Sequence, residues 1–183
     1  HPEARKLHTS ATALLGGAVV FVSGLAVWAV LHLVRRAGSV YEVLFLLGGA
    51  LIVFLLGLWD DRFGMDPLLK LAGQAAAAAA LLASGRLPGL GLPVPLEVVL
   101  TLIALVALMN AVNFLDNMNG MVGGLSAIAL LGFAWTSLER GANGVAAAQL
   151  ALAGACLGFL PHNFPKARIF LGDAGSLFLG YSL

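Results

Sequence analysis

Residues 95–120 read PLEVVLTLIALVALMNAVNFLDNMNG. Most of this stretch is apolar, and it is close to the roughly 20 residues that a helix needs to cross a bilayer. Its last third changes character. Asn110, Asn113, Asp116, Asn117 and Gly120 recur so that, in a continuous helix, they fall within about a third of the circumference. Amides and a carboxylate at that density on a lipid-embedded helix face a cavity or neighbouring helices. The stretch predicts a membrane helix with a polar cluster at one end.

The surrounding chain extends this pattern. Of its 183 residues, 60% are hydrophobic and 10% charged, with a mean hydropathy of +0.97. A soluble domain carries about 25% charged residues, so a lipid bilayer is the expected solvent. Six runs are long and apolar enough to be read as spans: 11–34, 43–59, 68–83, 95–113, 120–138 and 145–160, with a seventh starting near 174. Backbone polar groups in lipid must be satisfied within the segment, and strict apolar–polar alternation is absent, so helices are expected rather than a barrel. The predicted class is all-α: a polytopic helical membrane bundle forming one domain over 1–183. Arg5 and Lys6 before an apolar run imitate a signal peptide, but the later runs argue against a cleaved leader. The single cysteine, Cys156, lies in an apolar run and reads as a packing residue. A net charge of +1 offers nucleic acid no electrostatic footprint.

Topology then gathers the acidic groups. Each span crosses once, so the N-terminal segment and the second, fourth and sixth connections share a side. All five aspartates, Asp60, Asp61, Asp66, Asp116 and Asp173, fall on that side, whereas Glu42, Glu97 and Glu139 fall opposite. Arg5, Lys6, Arg62, Lys70, Lys166 and Arg168 lie with the aspartates, against Arg35, Arg36, Arg86 and Arg140 across the membrane. That excess of positive charge points the aspartate side to the cytoplasm.

Three clusters on this side have the residue types for phosphate chemistry. Asp60 and Asp61 close a span as adjacent carboxylates, which need a cation, a proton or a basic neighbour. Lys70 is such a neighbour, with Gln74 one turn further along the same face. Asp66 before Pro67 reads as a helix N-cap. Asn113, Asp116 and Asn119 form the second cluster. The third runs from Asn163 through Lys166 and Arg168 to Asp173, with Asp173 either an N-cap or a metal ligand. Lys166, Arg168 and His8 are placed to meet phosphates, and His162 is left open. A hard cation such as Mg²⁺, with Mn²⁺ an acceptable substitute, takes one or two carboxylates plus phosphate oxygens and water. Metal and basic groups together neutralise charge in phosphoryl transfer. No Walker loop, zinc pattern or G-x-S-x-G is present.

Four segments carry a resemblance: RKLH with LLGG (5–8 and 14–17), DDRFGMDPLLKLAGQ (60–74), NAVNFLDNMNGMVGG (110–124) and HNFPKARIFLGDAGSLFLG (162–180). In this order they resemble the polyprenyl-phosphate N-acetylhexosamine-1-phosphate transferase family. The resemblance implies transfer of a sugar-1-phosphate, GlcNAc-1-phosphate in the first instance, from a UDP-sugar to undecaprenyl phosphate. UMP is released and cell-wall polysaccharide synthesis begins, in a multi-pass protein of the bacterial inner membrane. It implies that Asp60 and Asp61 act on the lipid phosphate or near the metal, and that Lys70 contacts phosphate. Asn113 and Asp116 would line the catalytic and nucleotide cleft, Asn163 the nucleotide site, and Asp173 would hold Mg²⁺. It also implies a homodimer.

Two departures stand out. Asn119 replaces an aspartate common in the family, keeping an amide for substrate but losing the charge for metal or base work, and Asn117 replaces a glycine. The family's first span and a histidine-rich loop expected after residue 183 are absent, so a fragment is expected. The short Asp61–Lys70 connection resembles the GlcNAc-1-phosphate branch more than the muramoyl-pentapeptide branch, which is the alternative activity. A transporter, with carboxylates near the midplane at broken helices, and a non-catalytic packing remnant are the rivals from other classes.

Overall fold

The computed structural model describes residues 15–35, 40–85 and 87–183. Within them the chain forms α1 (Gly16–Arg35), α2 (Val40–Phe63), α3 (Pro67–Ala83), α4 (Val94–Leu115), α5 (Met121–Glu139), α6 (Asn143–Asn163) and α7 (Gly172–Ser182), with no β-strand. Among the described residues, three of the six expected crossings meet both the length and the apolarity required. These are α4, with mean hydropathy 2.4, and α5 and α6, each with 1.6. The apolar helix α3 is shorter, at 17 residues. Large apolar side chains on α4 and α5, including Val99, Ile103, Ile128 and Trp135, point outward. In water such a surface would be costly, but in lipid it is the expected exterior. The molecule is an all-α bundle of membrane type.

The shortest helix holds the centre. α7 packs against α1, α2 and α4, and Leu177, Phe178, Leu179 and Tyr181 are buried within that ring. Phe21 of α1 stacks on Phe54 of α2 at 4.2 Å between centroids and meets Phe178 of α7 edge-on at 5.0 Å. Small residues bring backbones close. A Cβ on Gly57 of α2 would lie 2.5 Å from Ala174, and one on Gly180 would lie 2.6 Å from the Met109 Cα of α4. Lipid offers little drive for helix association, so such close van der Waals packing carries much of it. The α5–α6 hairpin completes the bundle by packing along α1.

Three boundaries differ from the sequence-based expectation, and each shapes the polar end. α2 runs on to Phe63, so Asp60 and Asp61 sit in a helical last turn rather than a loop. Successive helical residues point about 100° apart, which separates the two carboxylates. α6 continues through Pro161 to Asn163, although a proline favours a break at the residue before it. α4 also runs past its expected end at 113, but only to Leu115. Asp116 is its C-cap, the Asn117 amide turns back onto the Phe114 carbonyl, and Gly120 adopts a left-handed φ of 77°. Asn117 and Gly120 therefore leave the helical face on which periodicity had put them.

Candidate active site

The second, fourth and sixth connections, expected to share a side, do meet, and the start of α1 joins them; the N-terminal segment before it lies outside the described residues. At the start of α1, the Gly16 and Gly17 amides donate to the Phe170 and Leu171 carbonyls of the α6–α7 loop, each at 2.9 Å. The α2–α3 turn is shaped by Asp66, whose side chain caps α3 by accepting the Leu68 and Leu69 amides, as predicted. Lys70, one turn into α3, is thereby aimed back at the end of α2.

Lys70 is the hub. Its ammonium lies 2.7 Å from Asp60 Oδ2 and also pairs with Asp173 Oδ2 from the first turn of α7. Asn113 Oδ1 of α4 stands 3.5 Å away. The Asn113 amide in turn donates to Asp173 Oδ1 at 2.8 Å and to Ser176 Oγ at 2.9 Å. Ser176 donates onward to the Gly172 carbonyl at 3.0 Å. Four helices, α2, α3, α4 and α7, thus contribute to a single charged cluster. The Lys70, Asp60 and Asp173 side chains remain 16%, 15% and 32% exposed, so the cluster is recessed yet reachable.

Asp116 stands at the rim and accepts the Gly172 amide. Burial, then the negative charges of Asp173 and Asp61, push its carboxyl up to about 7 despite that hydrogen bond. A carboxyl raised by like-charged neighbours is one that a cation would favour in its ionised form.

Asp61 behaves differently. Its two oxygens accept the backbone amides of Asp173 at 2.8 Å and Ala174 at 3.0 Å. The sequence left Asp173 open as the N-cap of its own helix; instead a side chain from α2 takes that role. The residue before α7, Leu171, makes no side-chain cap.

Asn163, expected to line a nucleotide, has both ends of its amide engaged. Its Oδ1 accepts the Gly120 amide at 2.6 Å, its Nδ2 donates to the Ile169 carbonyl at 2.9 Å, and the residue is buried. It clips the α4–α5 turn to the α6–α7 loop. The Asn119 amide donates to the Pro165 carbonyl at 3.2 Å across the same gap. Lys166 and Arg168 do not join the aspartate cluster. They line a separate cleft of about 580 Å³ with His162, Phe164 and Pro165. His8 lies outside the described residues.

Two partnerships were not legible in the sequence. The Ser176 hydroxyl accepts from the Asn113 amide. Gln74, fully buried, exchanges hydrogen bonds with Asn110 and locks α3 to α4 one turn below Lys70. Its four-residue spacing from Lys70 was visible; its partner was not.

Among the described residues no group of three or more His, Cys, Asp or Glu forms a ready metal cage. The donor set still fits a hard cation that shares its shell with substrate. Asp173 and Asp116 are oxygen donors within an electrostatically coupled group, with no thiolate at the cluster and with Lys70 supplying positive charge there now.

The fold and this cluster define a helical membrane protein with an acidic, lysine-bridged site at one end. Residues 43–183 match the glycosyl transferase family 4 profile, and the chain belongs to that family. It is 36% identical over 208 residues to a decaprenyl-phosphate N-acetylglucosaminephosphotransferase of Mycobacterium tuberculosis, covering 100% of this chain and 51% of that protein. It is 31% identical over 194 residues to a probable undecaprenyl-phosphate N-acetylglucosaminyl 1-phosphate transferase of Bacillus subtilis, covering 100% and 52%. A phospho-N-acetylmuramoyl-pentapeptide-transferase of Moorella thermoacetica is 34% identical over 201 residues, covering 97% and 61%. The chain spans about half the length of the first of these relatives. These relatives and the apolar helices mark it as a bacterial membrane protein.

Proposed function

We propose that the protein transfers GlcNAc-1-phosphate from UDP-GlcNAc to a polyprenyl phosphate at the cytoplasmic face of the bacterial inner membrane, with Mg²⁺ as cofactor. The observation that carries this reading is the junction of Asp60, Lys70, Asn113 and Asp173, from four helices, at the end where the family motifs meet. In the reaction an oxygen of the lipid phosphate attacks the β-phosphorus of the nucleotide. The bond from that phosphorus to the bridging oxygen breaks, and UMP leaves with the electron pair. One phosphoanhydride replaces another, so the exchange is close to thermoneutral.

Asp173 and Asp116 are the residues that would hold Mg²⁺, which when bound offsets charge on the pyrophosphate oxygens. Lys70 turns from its carboxylate partners to the transferring phosphate, a compact cation suited to that task. Asp60 takes a proton from a monoanionic lipid phosphate, or holds Lys70 when the lipid is already dianionic. Asn113 fixes the rotamer of Asp173. An apolar groove of about 330 Å³ between α4 and α5 is lined by Val112, Leu115, Val122 and Leu125 among others, and Leu115 directly precedes Asp116 in the chain. The groove suits the lipid end of a polyprenyl acceptor.

The test is incubation of the full-length protein in bilayer nanodiscs with Mg²⁺, undecaprenyl phosphate and UDP-GlcNAc. Mg²⁺-dependent release of UMP with formation of the lipid-linked sugar is expected. Turnover only with the muramoyl-pentapeptide nucleotide would move the protein to the other branch, and turnover with neither would refute the reading.

A further inference from the structure

We infer that Asp61 is a positioning residue, which sets Asp173 by capping α7 across the helix interface and does not exchange protons with substrate; this rests on the function proposed above. The first turn of any helix presents amides without an intrahelical partner. At α7 that turn is buried, with Gly172 and Ala174 both shielded, so water cannot supply the acceptors. The Asp61 carboxylate supplies them, one oxygen to each of two successive amides.

The packing around it is built to admit that carboxylate. Gly172 adopts a left-handed φ of 72°, and a Cβ there would fall 2.6 Å from Asp61 Oδ2. One turn earlier on the same face of α2, Gly57 lets the helix backbone approach Ala174. Gly57 and Asp61 thus grip residues 172–174 together. Asp60, rotated by about 100°, points instead to Lys70. The adjacent carboxylates therefore have separate tasks: Asp60 faces the reacting groups, and Asp61 holds the backbone from which Asp173 projects.

The two roles answer differently to an amide. A cap keeps one of its two acceptor oxygens when aspartate becomes asparagine, so it is weakened but survives, whereas a general base does not survive the exchange. In the full-length protein in nanodiscs, UMP release and Mn²⁺ affinity (by electron paramagnetic resonance) are compared for wild type, Asp61→Asn and Asp61→Ala. Asp61→Asn is expected to keep activity within about tenfold, and its Mn²⁺ affinity within about threefold, because one acceptor oxygen remains. Asp61→Ala is expected to lose roughly 100-fold or more in rate, and to bind Mn²⁺ roughly tenfold more weakly, although Asp61 would touch no metal.

The inference is overturned if Asp61→Asn is as inactive as Asp61→Ala while both bind Mn²⁺ like the wild type. If the alanine variant does not fold, the asparagine variant decides alone: retained turnover supports positioning, and loss by a factor on the order of a thousand marks a proton-transfer role. A wild type that binds Mn²⁺ but releases no UMP would sink the functional reading separately, and the order of Mn²⁺ affinities would still decide the role of Asp61.

Discussion

At the scale of single residues, the site is organised by competition for a few charges. Asp173 is held by Lys70 on one oxygen and Asn113 on the other, so its orientation is set before any substrate arrives. Asp173→Asn should lower Mg²⁺-dependent UMP release by about 1,000-fold, since it removes the charge that would hold the cation. Lys70→Met should cost about 100-fold or more in rate, as loss of a preorganised donor commonly does. Asp116 provides the pH signature. Its folded-state carboxyl titrates near 7 against an ordinary value of 3.8. Between those limits the folded metal-free protein binds the extra proton, so its stability falls as pH rises through the window and is regained on acidification. Melting scans in nanodiscs should show a lower Tm at pH 8 than at pH 5.5 without metal. Asp116→Asn should flatten that trend.

At the scale of elements, helix ends matter more than helix middles. The apolar runs announced themselves by composition, and every expected span has a helix over it. The Asp66 cap and the Lys70–Asp60 pair were also legible, because a cap is local and one short turn separates the end of α2 from the start of α3. Helix boundaries were not. α2 ends at Phe63 and α4 at Leu115, both past the expected 59 and 113; the left-handed Gly64 and the Asp116–Gly120 turn, rather than polarity alone, decide where they stop. The roles of Asp61 and Asn163 escaped because their partners are 112 and 43 residues away, and no spacing rule reaches that far. The close approach of α2 to α7 is another property of pairs. Gly57→Val should force α7 outward, costing about 1–3 kcal/mol as overpacking does, with a lower Tm and a matching loss of Mn²⁺ binding.

At the scale of the whole molecule, the fold is a device for bringing remote aspartates to one end of a bundle. Parity of crossings predicted which connections share a side, and the structure joins the second, fourth and sixth of them. The basic cleft at Lys166 and Arg168 lies off this cluster, which sequence order alone had grouped with Asp173. Topology is directly testable. Cysteines introduced at Asn117 and Lys166 should label from one side of a sealed vesicle, and one at Glu139 from the other; native Cys156 is buried and stays silent.

The central claim is that Asp60, Asp116 and Asp173 surround one shared ligand position. The most direct measurement is a crystal structure of the full-length protein grown with Mn²⁺ and UDP-GlcNAc, with the metal located by anomalous scattering. One metal peak is predicted, touching Asp173 and the nucleotide pyrophosphate within reach of Lys70. A metal and pyrophosphate bound away from these residues would contradict it.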